Sequence, residues 1–238
     1  MPGALEDLLA RRSPRTIAEV IALMEAIDAA LPTADGIAWF NKLYLEVTRA
    51  VSAAVGAGRF GEGRFLRWLD VSFANLFFRA LRHDLTGEKP VAKAWAPLFE
   101  ARGRHDVAPI QFALAGMNAH INHDLPVALG GAWAGTRVDP SAAQHVDFTA
   151  VNALLAATED RVKEWFATGF LGEIDRDFRE LDDLYAMWSV GRAREAAWVN
   201  GKTLRTLRAV PPVREDYLAT LDRMVGFAGR GLLRPVVP

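Results

Sequence analysis

The amino-acid sequence predicts an all-α fold, a single domain over residues 1–238 built as a bundle of about eight helices around a buried central helix. Apolar residues recur at three-to-four spacing along most of the chain, and no stretch alternates apolar and polar residues as a half-buried strand does. Proline, glycine and capping residues separate the periodic stretches. The segment 107–129 is apolar on nearly every face, so we expect it to lie inside the bundle.

The first helices are bounded by clear start and stop residues. Ser13 and Pro14 open a helix that Pro32 ends. Asp35 can cap a second helix, which the glycines of 56–58 stop.

A third helix is predicted from about residue 62 to residue 81, where phenylalanines and leucines recur at helical spacing. Pro90 starts a short fourth helix that ends near Phe99. The central helix follows over 107–129, and Pro126 is expected to kink or shorten it.

The last helices begin after a glycine-rich segment, 130–135, that is predicted to form a turn. Asp139 or Ser141 caps a long helix that runs beyond Trp165. A second long helix is predicted from about 175 to 207, and a last one over 211–229, which starts at a pair of prolines.

Composition excludes several classes of function. Hydrophobic residues make up 51% of the chain and charged residues 24%, as in a folded globular protein. The net charge is −1 and there is no basic cluster, so we expect no nucleic-acid partner. The chain has no cysteine, which excludes disulfides, thiolate metal sites and a cysteine nucleophile.

A cytoplasmic protein without a membrane partner is expected. The amino-terminal residues have no long apolar run typical of a secretory signal. The central segment is long enough to span a bilayer, but it carries amides, imidazoles and a carboxylate near its middle, which are costly in lipid. The sequence leaves the oligomeric state open.

The central segment also carries the clearest functional signal. Between Asp106 and Arg137 the only formal charge is Asp124. It closes a polar tract within this apolar helix, formed by Asn118, His120, Asn122, His123 and Asp124. In a buried helix such groups must form hydrogen bonds within the protein or take part in binding or catalysis.

His120 and Asp124 lie four residues apart, so their side chains can touch or hold one ion together. Gly116, one turn earlier, leaves space for a ligand or for a closely packed helix. The pair can simply fix helix register by a buried hydrogen bond. Fixing the register of a helix requires fewer polar groups than the three ionisable groups and two amides of this tract. The excess favours a functional site containing His120, Asp124 and Asn118.

Two later helices are expected to supply the walls of this pocket. The short turn after the central helix returns the next helix antiparallel to it and brings Asp147 and Asn152 near Asp124, unless Asp147 is a solvated first-turn acid. The helix 175–207 would add Trp188 and Arg192. Arg192 either pairs with Asp124 or grips an anionic substrate, or else it lies on the surface.

Three functional hypotheses follow. The first is a hydrolase of an ester or phosphoester in which a divalent Zn, Mn or Fe ion activates water. Its ligands would be His120, His123, Asp124 and Asp147. The second is a metal-free lyase or cyclase that uses His120 and Asp124 as an acid–base pair on a small, apolar substrate. The third is a non-catalytic binding or assembly module in which the polar cluster is dry and closed.

Three segments carry a resemblance that spans most of the chain: GMNAHINHDLPVAL (116–129), DFTAVNALL (147–155) and MWSVGRAREAAW (187–198). They resemble a bacterial, actinobacterial-type helical family of unknown function. The resemblance implies a single helical domain and no particular activity.

The dipeptide His-Asp occurs at 83–84, 105–106 and 123–124, and it echoes the metal site of the HD-domain phosphohydrolases. That resemblance implies an upstream histidine, a His-Asp pair and a downstream carboxylate as metal ligands. The candidates are His83 or His105, then His123 with Asp124, then Asp147 or Asp160.

Overall fold

The computed structural model describes residues 2–10, 13–136, 139–168 and 189–235, and all regular structure within these ranges is helical. The all-α fold is therefore confirmed. The α-helices are α1 (Pro2–Ala10), α2 (Ile17–Ala30), α3 (Gly36–Gly56), α4 (Gly63–Thr86), α5 (Ala96–Ala101), α6 (Pro109–Ala119), α7 (Leu125–Thr136), α8 (Ala142–Thr168), α9 (Val190–Thr206) and α10 (Pro211–Leu232).

Several helix ends form as the capping residues predict. The Asp35 carboxylate accepts a hydrogen bond from the backbone N–H of Ile37 at 2.9 Å and so begins α3. Ser141 rather than Asp139 caps α8, because its Oγ accepts from the N–H of Gln144 at 3.1 Å. Helix α4 runs five residues past the predicted end and stops at Gly87, whose φ of 65° is left-handed.

Helix α1 is an element that the sequence analysis does not predict. It buries Leu5 and Leu9 against the main core, and it packs on α2 and α4. Its leucines at 5, 8 and 9 are spaced as on one helix face, but a helix of nine residues is not stable alone, so tertiary contacts decide it.

The glycine-rich segment after the central helix is helical, which corrects the predicted turn at 130–135. Helix α7 continues to Thr136 because these glycines serve a close helix crossing. An ideal Cβ on Gly130 would lie 3.3 Å from the carbonyl oxygen of Gly201 in α9, and one on Gly201 would lie 2.7 Å from Cβ of Leu129. Small residues on both helices therefore allow α7 and α9 to approach each other closely.

Helices α3, α4, α9 and α10 pack against the central helix formed by α6 and α7. The packing of α9 on the central helix agrees with its expected place as a wall of the pocket, whereas the carboxy-terminal α10 is an additional neighbour. The upstream half of the predicted 175–207 helix, with Trp188, lies outside the described residues. Among the described helices, none has the length and apolar content needed to cross a bilayer.

Candidate functional site

A π turn, His120–Asp124, joins α6 to α7 and coincides with the polar tract of the central helix. The N–H of Leu125 bonds to the carbonyl oxygen of His120, five residues back, instead of four. Pro126 has no N–H to offer to Asn122, so regular α-helical bonding is already interrupted here. The helix therefore continues through Pro126 by widening one turn, and such turns are frequent at functional sites.

The carboxylate of Asp124 is buried, with 3% of the residue exposed, and accepts three hydrogen bonds. Trp95 Nε1 and His120 Nδ1 each lie 3.0 Å from Oδ2, and His123 Nδ1 lies 2.8 Å from Oδ1. Burial alone would raise the pKa of Asp124, but the two histidine hydrogen bonds outweigh it and lower the pKa. Asp124 is therefore an ionised and fully partnered carboxylate.

His120 stands on one side of Asp124 inside a set of aromatic rings. The ring of Phe73 stacks on the imidazole at 3.4 Å between centroids, and the ring of Tyr44 lies 4.5 Å away. Burial lowers the pKa of His120 and outweighs the opposite effect of Asp124. A neutral imidazole that donates from Nδ1 to Asp124 keeps a lone pair on Nε2. This Nε2 is enclosed and has no hydrogen-bond partner.

His123 stands on the other side of Asp124 and is half-buried. Its Nε2 lies 3.7 Å from Oδ1 of Asp222 in α10. Burial disfavours its charged form, but the contact with Asp124 and the charge of Asp222 together raise the pKa of His123. The two histidines that share one carboxylate are thus shifted in opposite directions.

Gly116 makes room for a helix and not for a ligand. An ideal Cβ at this position would lie 2.4 Å from the ring of Phe40 in α3. Of the two roles that the sequence leaves open, close helix packing is the one found in the structure.

A small cavity of about 60 Å³ lies beside this cluster, between α3, α4, α7, α8 and α9. Its walls are apolar except for Tyr44, Asp70 and Arg194, and we call it the Asp70 cavity. Tyr44 and Phe73 line it and also contact the ring of His120. His120 and Asp124 therefore lie one layer behind the cavity wall.

Two polar groups of the Asp70 cavity are enclosed. Oδ2 of Asp70 has no hydrogen-bond partner among the described residues, and burial raises the pKa of Asp70 to about 7. The hydroxyl of Tyr44 makes no well-formed hydrogen bond within the described part of the chain, and Thr48 is a polar side chain close to it. Burial, followed by the charges of Asp70 and Asp124, outweighs the opposite effect of Thr48 and raises the pKa of Tyr44 well above its usual value, so the phenol is neutral.

Arg194 supplies the positive charge of the cavity. Its Nε donates to Oδ1 of Asn152 at 2.7 Å, and its Nη2 donates to the carbonyl of Phe148 at 2.6 Å. Burial lowers the pKa of Arg194 to about 10, which still leaves a cation at neutral pH. The predicted pocket residue Asn152 thus lies next to the cavity and positions Arg194.

The predicted cation Arg192 is exposed, which is the surface position that the sequence left open. Its backbone N–H bonds to Oγ of Ser189, at the start of α9. Two residues along a helix correspond to a rotation of about 200°, so Arg192 and Arg194 face opposite ways. The buried arginine is therefore Arg194.

Asn118 and Asp147 do not join His120 and Asp124 in one pocket. Asn118 donates to the carbonyl of Val225 at 2.9 Å and so ties the central helix to α10. The buried carboxylate of Asp147 accepts from the N–H of Glu62, at the start of α4. Among the residues whose positions are described, no group of three histidines, aspartates or glutamates has a metal-binding arrangement.

The ligand set implied by the HD-domain resemblance is not assembled either. His83 is half-buried at the end of α4, and His105 is exposed in a loop. Their neighbours Asp84 and Asp106 pair with Arg102 and Arg104 respectively. The side chain of Asp160 lies outside the described residues.

Tyr44, Asp70 and Arg194 are not among the site residues predicted from the sequence. A signal for Asp70 exists, because it shares one face of α4 with Leu66, Leu69 and Phe73. An acid within an apolar helical stripe predicts a buried carboxyl.

Residues 17–235 match DUF5995, a family of unknown function, and the chain belongs to that family. This confirms the resemblance to a helical family without an assigned activity. No curated protein and no solved structure matches the chain.

Proposed function

We propose that the Asp70 cavity is a metal-free acid–base site, and that the protein acts as a lyase or isomerase on a small, largely apolar carbonyl compound. The observation that carries the proposal is the enclosed, unpaired Oδ2 of Asp70, whose carboxyl has a pKa of about 7 and lies beside the enclosed phenol of Tyr44 in an apolar cavity. An acid or base works best when its pKa is near the working pH. Asp70 satisfies that condition.

The chemistry assigns one role to each polar group. The ionised fraction of Asp70 takes a proton from the carbon next to the carbonyl; the C–H electron pair forms the C=C bond of an enolate, and the carbonyl π pair moves onto the oxygen. The neutral phenol of Tyr44 donates a hydrogen bond to that oxygen, and the fixed charge of Arg194 stabilises the negative charge that develops. In an isomerase, Asp70 then returns the proton to a different carbon as the electron pair moves back from the oxygen. In a lyase, the enolate electrons expel a leaving group from the next carbon, and Asp70 gives the proton to that group.

The size of the cavity limits what it holds. About 60 Å³ corresponds to room for about four water molecules. The carbonyl end of a substrate fits this space, and the surrounding valines and leucines favour an apolar remainder.

His120 and Asp124 support this site from behind. Asp124 orients the imidazole, and His120 with Phe73 holds the ring of Tyr44 at the cavity wall. The metal-dependent alternative has less support, since three N–H donors already occupy the oxygens of Asp124, and the carboxylate of Asp147 is bound to the N–H of Glu62 at the start of α4.

Deuterium exchange in D₂O tests the proposal. We expect the protein to replace the α-hydrogens of cyclohexanone by deuterium, measured by loss of the proton NMR signal. Asp70→Asn should slow this exchange by about 100-fold or more, whereas Asp28→Asn, an exposed acid on α2, should not change it. Tyr44→Phe should also slow it.

Two results would contradict the proposal. One is exchange at equal rates in the wild type and Asp70→Asn, and the other is a normal acidic pKa for Asp70 in a ¹³C NMR titration. Binding of cyclohexanone without any exchange would favour a non-catalytic binding module.

A further inference from the structure

A second cavity, of about 120 Å³, lies between α1, α2 and α4. Its apolar wall is formed by Leu8, Leu9, Leu23 and Phe78. We call it the Arg82 cavity, after the arginine whose Nε is enclosed.

The Arg82 cavity is separate from the Asp70 cavity. At about 100° per residue, Asp70 and Phe73 lie on one face of α4, and Arg79 and Arg82 lie on roughly the opposite face. The two cavities have no lining residue in common.

Two arginines of this cavity have no anionic partner among the described residues. Nε of Arg82 is enclosed and makes no hydrogen bond. Neither Arg79 nor Arg82 forms an ion pair within the described part of the chain, and no acidic residue is among the described residues that line the cavity. An enclosed guanidinium N–H without an acceptor is costly, so an acceptor from outside the chain would stabilise it.

The charges of the two arginines affect a neighbouring histidine. His83, the residue after Arg82, has a pKa lowered by burial and by the charges of Arg82 and Arg79. Asn75, which also lines the cavity, donates its amide hydrogens to the carbonyls of Pro14 and Val71, so these hydrogens are already occupied.

We propose that the Arg82 cavity binds a small amphipathic anion, with its phosphate or carboxylate group on Arg82 and Arg79 and its apolar part on the leucines and Phe78. The N–H groups of a guanidinium can form paired hydrogen bonds with the oxygens of a planar carboxylate or a tetrahedral phosphate. The volume corresponds to about eight water molecules, which accommodates the charged group and the first carbons of an attached chain. This binding site does not depend on the proposed acid–base chemistry.

Isothermal titration with hexyl phosphate, inorganic phosphate and 1-hexanol tests the proposal. We expect saturable 1:1 binding of hexyl phosphate, weaker binding of inorganic phosphate and no binding of 1-hexanol. Arg82→Gln and Arg79→Gln should each weaken hexyl phosphate binding by about 10- to 100-fold, as expected for loss of one charge-assisted hydrogen bond.

Two control variants make the test specific. Arg67→Gln removes an exposed arginine from the same helix and should leave binding unchanged. Asp70→Asn, in the other cavity, should also leave it unchanged, so this result is independent of the proposed function.

The proposal is overturned if hexyl phosphate gives no saturable heat at millimolar concentration. It is also overturned if Arg67→Gln weakens binding as much as the other two variants, because diffuse positive charge then explains it. If circular dichroism shows that Arg82→Gln does not fold, the exposed Arg79→Gln variant decides the outcome.

Discussion

Two aspartates with enclosed carboxylates stand in opposite situations in this protein. Asp124 accepts hydrogen bonds from Trp95, His120 and His123, and its pKa is lowered. Asp70 has an oxygen without any partner, and burial raises its pKa to about 7.

The difference separates a structural carboxylate from a reactive one. A carboxylate whose oxygens are all occupied holds its neighbours in place and has little capacity left for a substrate. An enclosed carboxyl without a partner reduces stability, and this is typical of groups retained for chemistry. Four predictions test this contrast.

The largest expected effect is at Asp124. Asp124→Ala leaves three N–H groups without their acceptor, so we expect the free energy of unfolding to fall by about 3–5 kcal/mol. Chemical denaturation measures it. Asp106→Ala is the matched control, because this carboxylate belongs to another His-Asp dipeptide and pairs with Arg104 at the surface. If both variants lose the same amount of unfolding free energy, Asp124 is not a structural centre.

Asp70 should show the opposite behaviour. Its folded pKa of about 7 exceeds its unfolded value, so the folded state keeps a proton that the unfolded state has released, and stability falls as the pH rises from about 4 to 7. Asp70→Asn removes this loss. We expect the variant to exceed the wild type in unfolding free energy by up to about 4 kcal/mol at pH 8 and to approach it at pH 4.

Denaturation of both proteins across this pH range checks the prediction. A variant less stable than the wild type at pH 8 would show that Asp70 has a stabilising partner. The contrast with Asp124 would then be lost.

The packing behind Asp124 is tested at Gly116. Gly116→Ala places a methyl group 2.4 Å from the ring of Phe40, and we expect it to cost about 1–3 kcal/mol of unfolding free energy. Gly56→Ala, at the end of α3 with open space around it, should be neutral or stabilising. Equal effects of the two changes would show that the aromatic rings around His120 rearrange freely.

The smallest expected effect is a change in the pH dependence at His123. The pKa of His123 is raised in the folded state, so its contribution to stability is complete below about pH 6.5 and is lost as the pH rises through the folded pKa. His123→Gln removes that loss. Relative to the wild type, the variant should therefore be weakest below pH 6.5 and should recover above it.

Asp70 and His120 titrate in both proteins, so the difference between the two denaturation profiles isolates His123. A difference that does not change with pH would show that His123 has an ordinary pKa. The shared carboxylate would then act on His120 alone.

Local residues account for most of the helices. Asp35, Ser141 and the paired prolines at 211–212 begin helices where their capping and backbone preferences predict. Two elements differ: α1 forms because α2 and α4 cover its two leucines, and α7 runs through its glycines because α9 packs closely on them. Both differences arise from contacts between helices that no local pattern records.

Local properties of the chain, helical periodicity and i,i+4 spacing, are enough to predict that the protein is all-helical, that the segment 107–129 is central and that His120 and Asp124 form a buried pair. Which polar groups are satisfied depends on the packing of distant helices. Asp124 bonds to Trp95 at the start of α5, whereas Oδ2 of Asp70 on α4 has no partner in a cavity whose other polar groups are Tyr44 and Arg194. The pairing of buried groups depends on helices far apart in the chain. For this reason Asp124, which stands out in the sequence, is the structural carboxylate, and Asp70, which does not, lines the cavity.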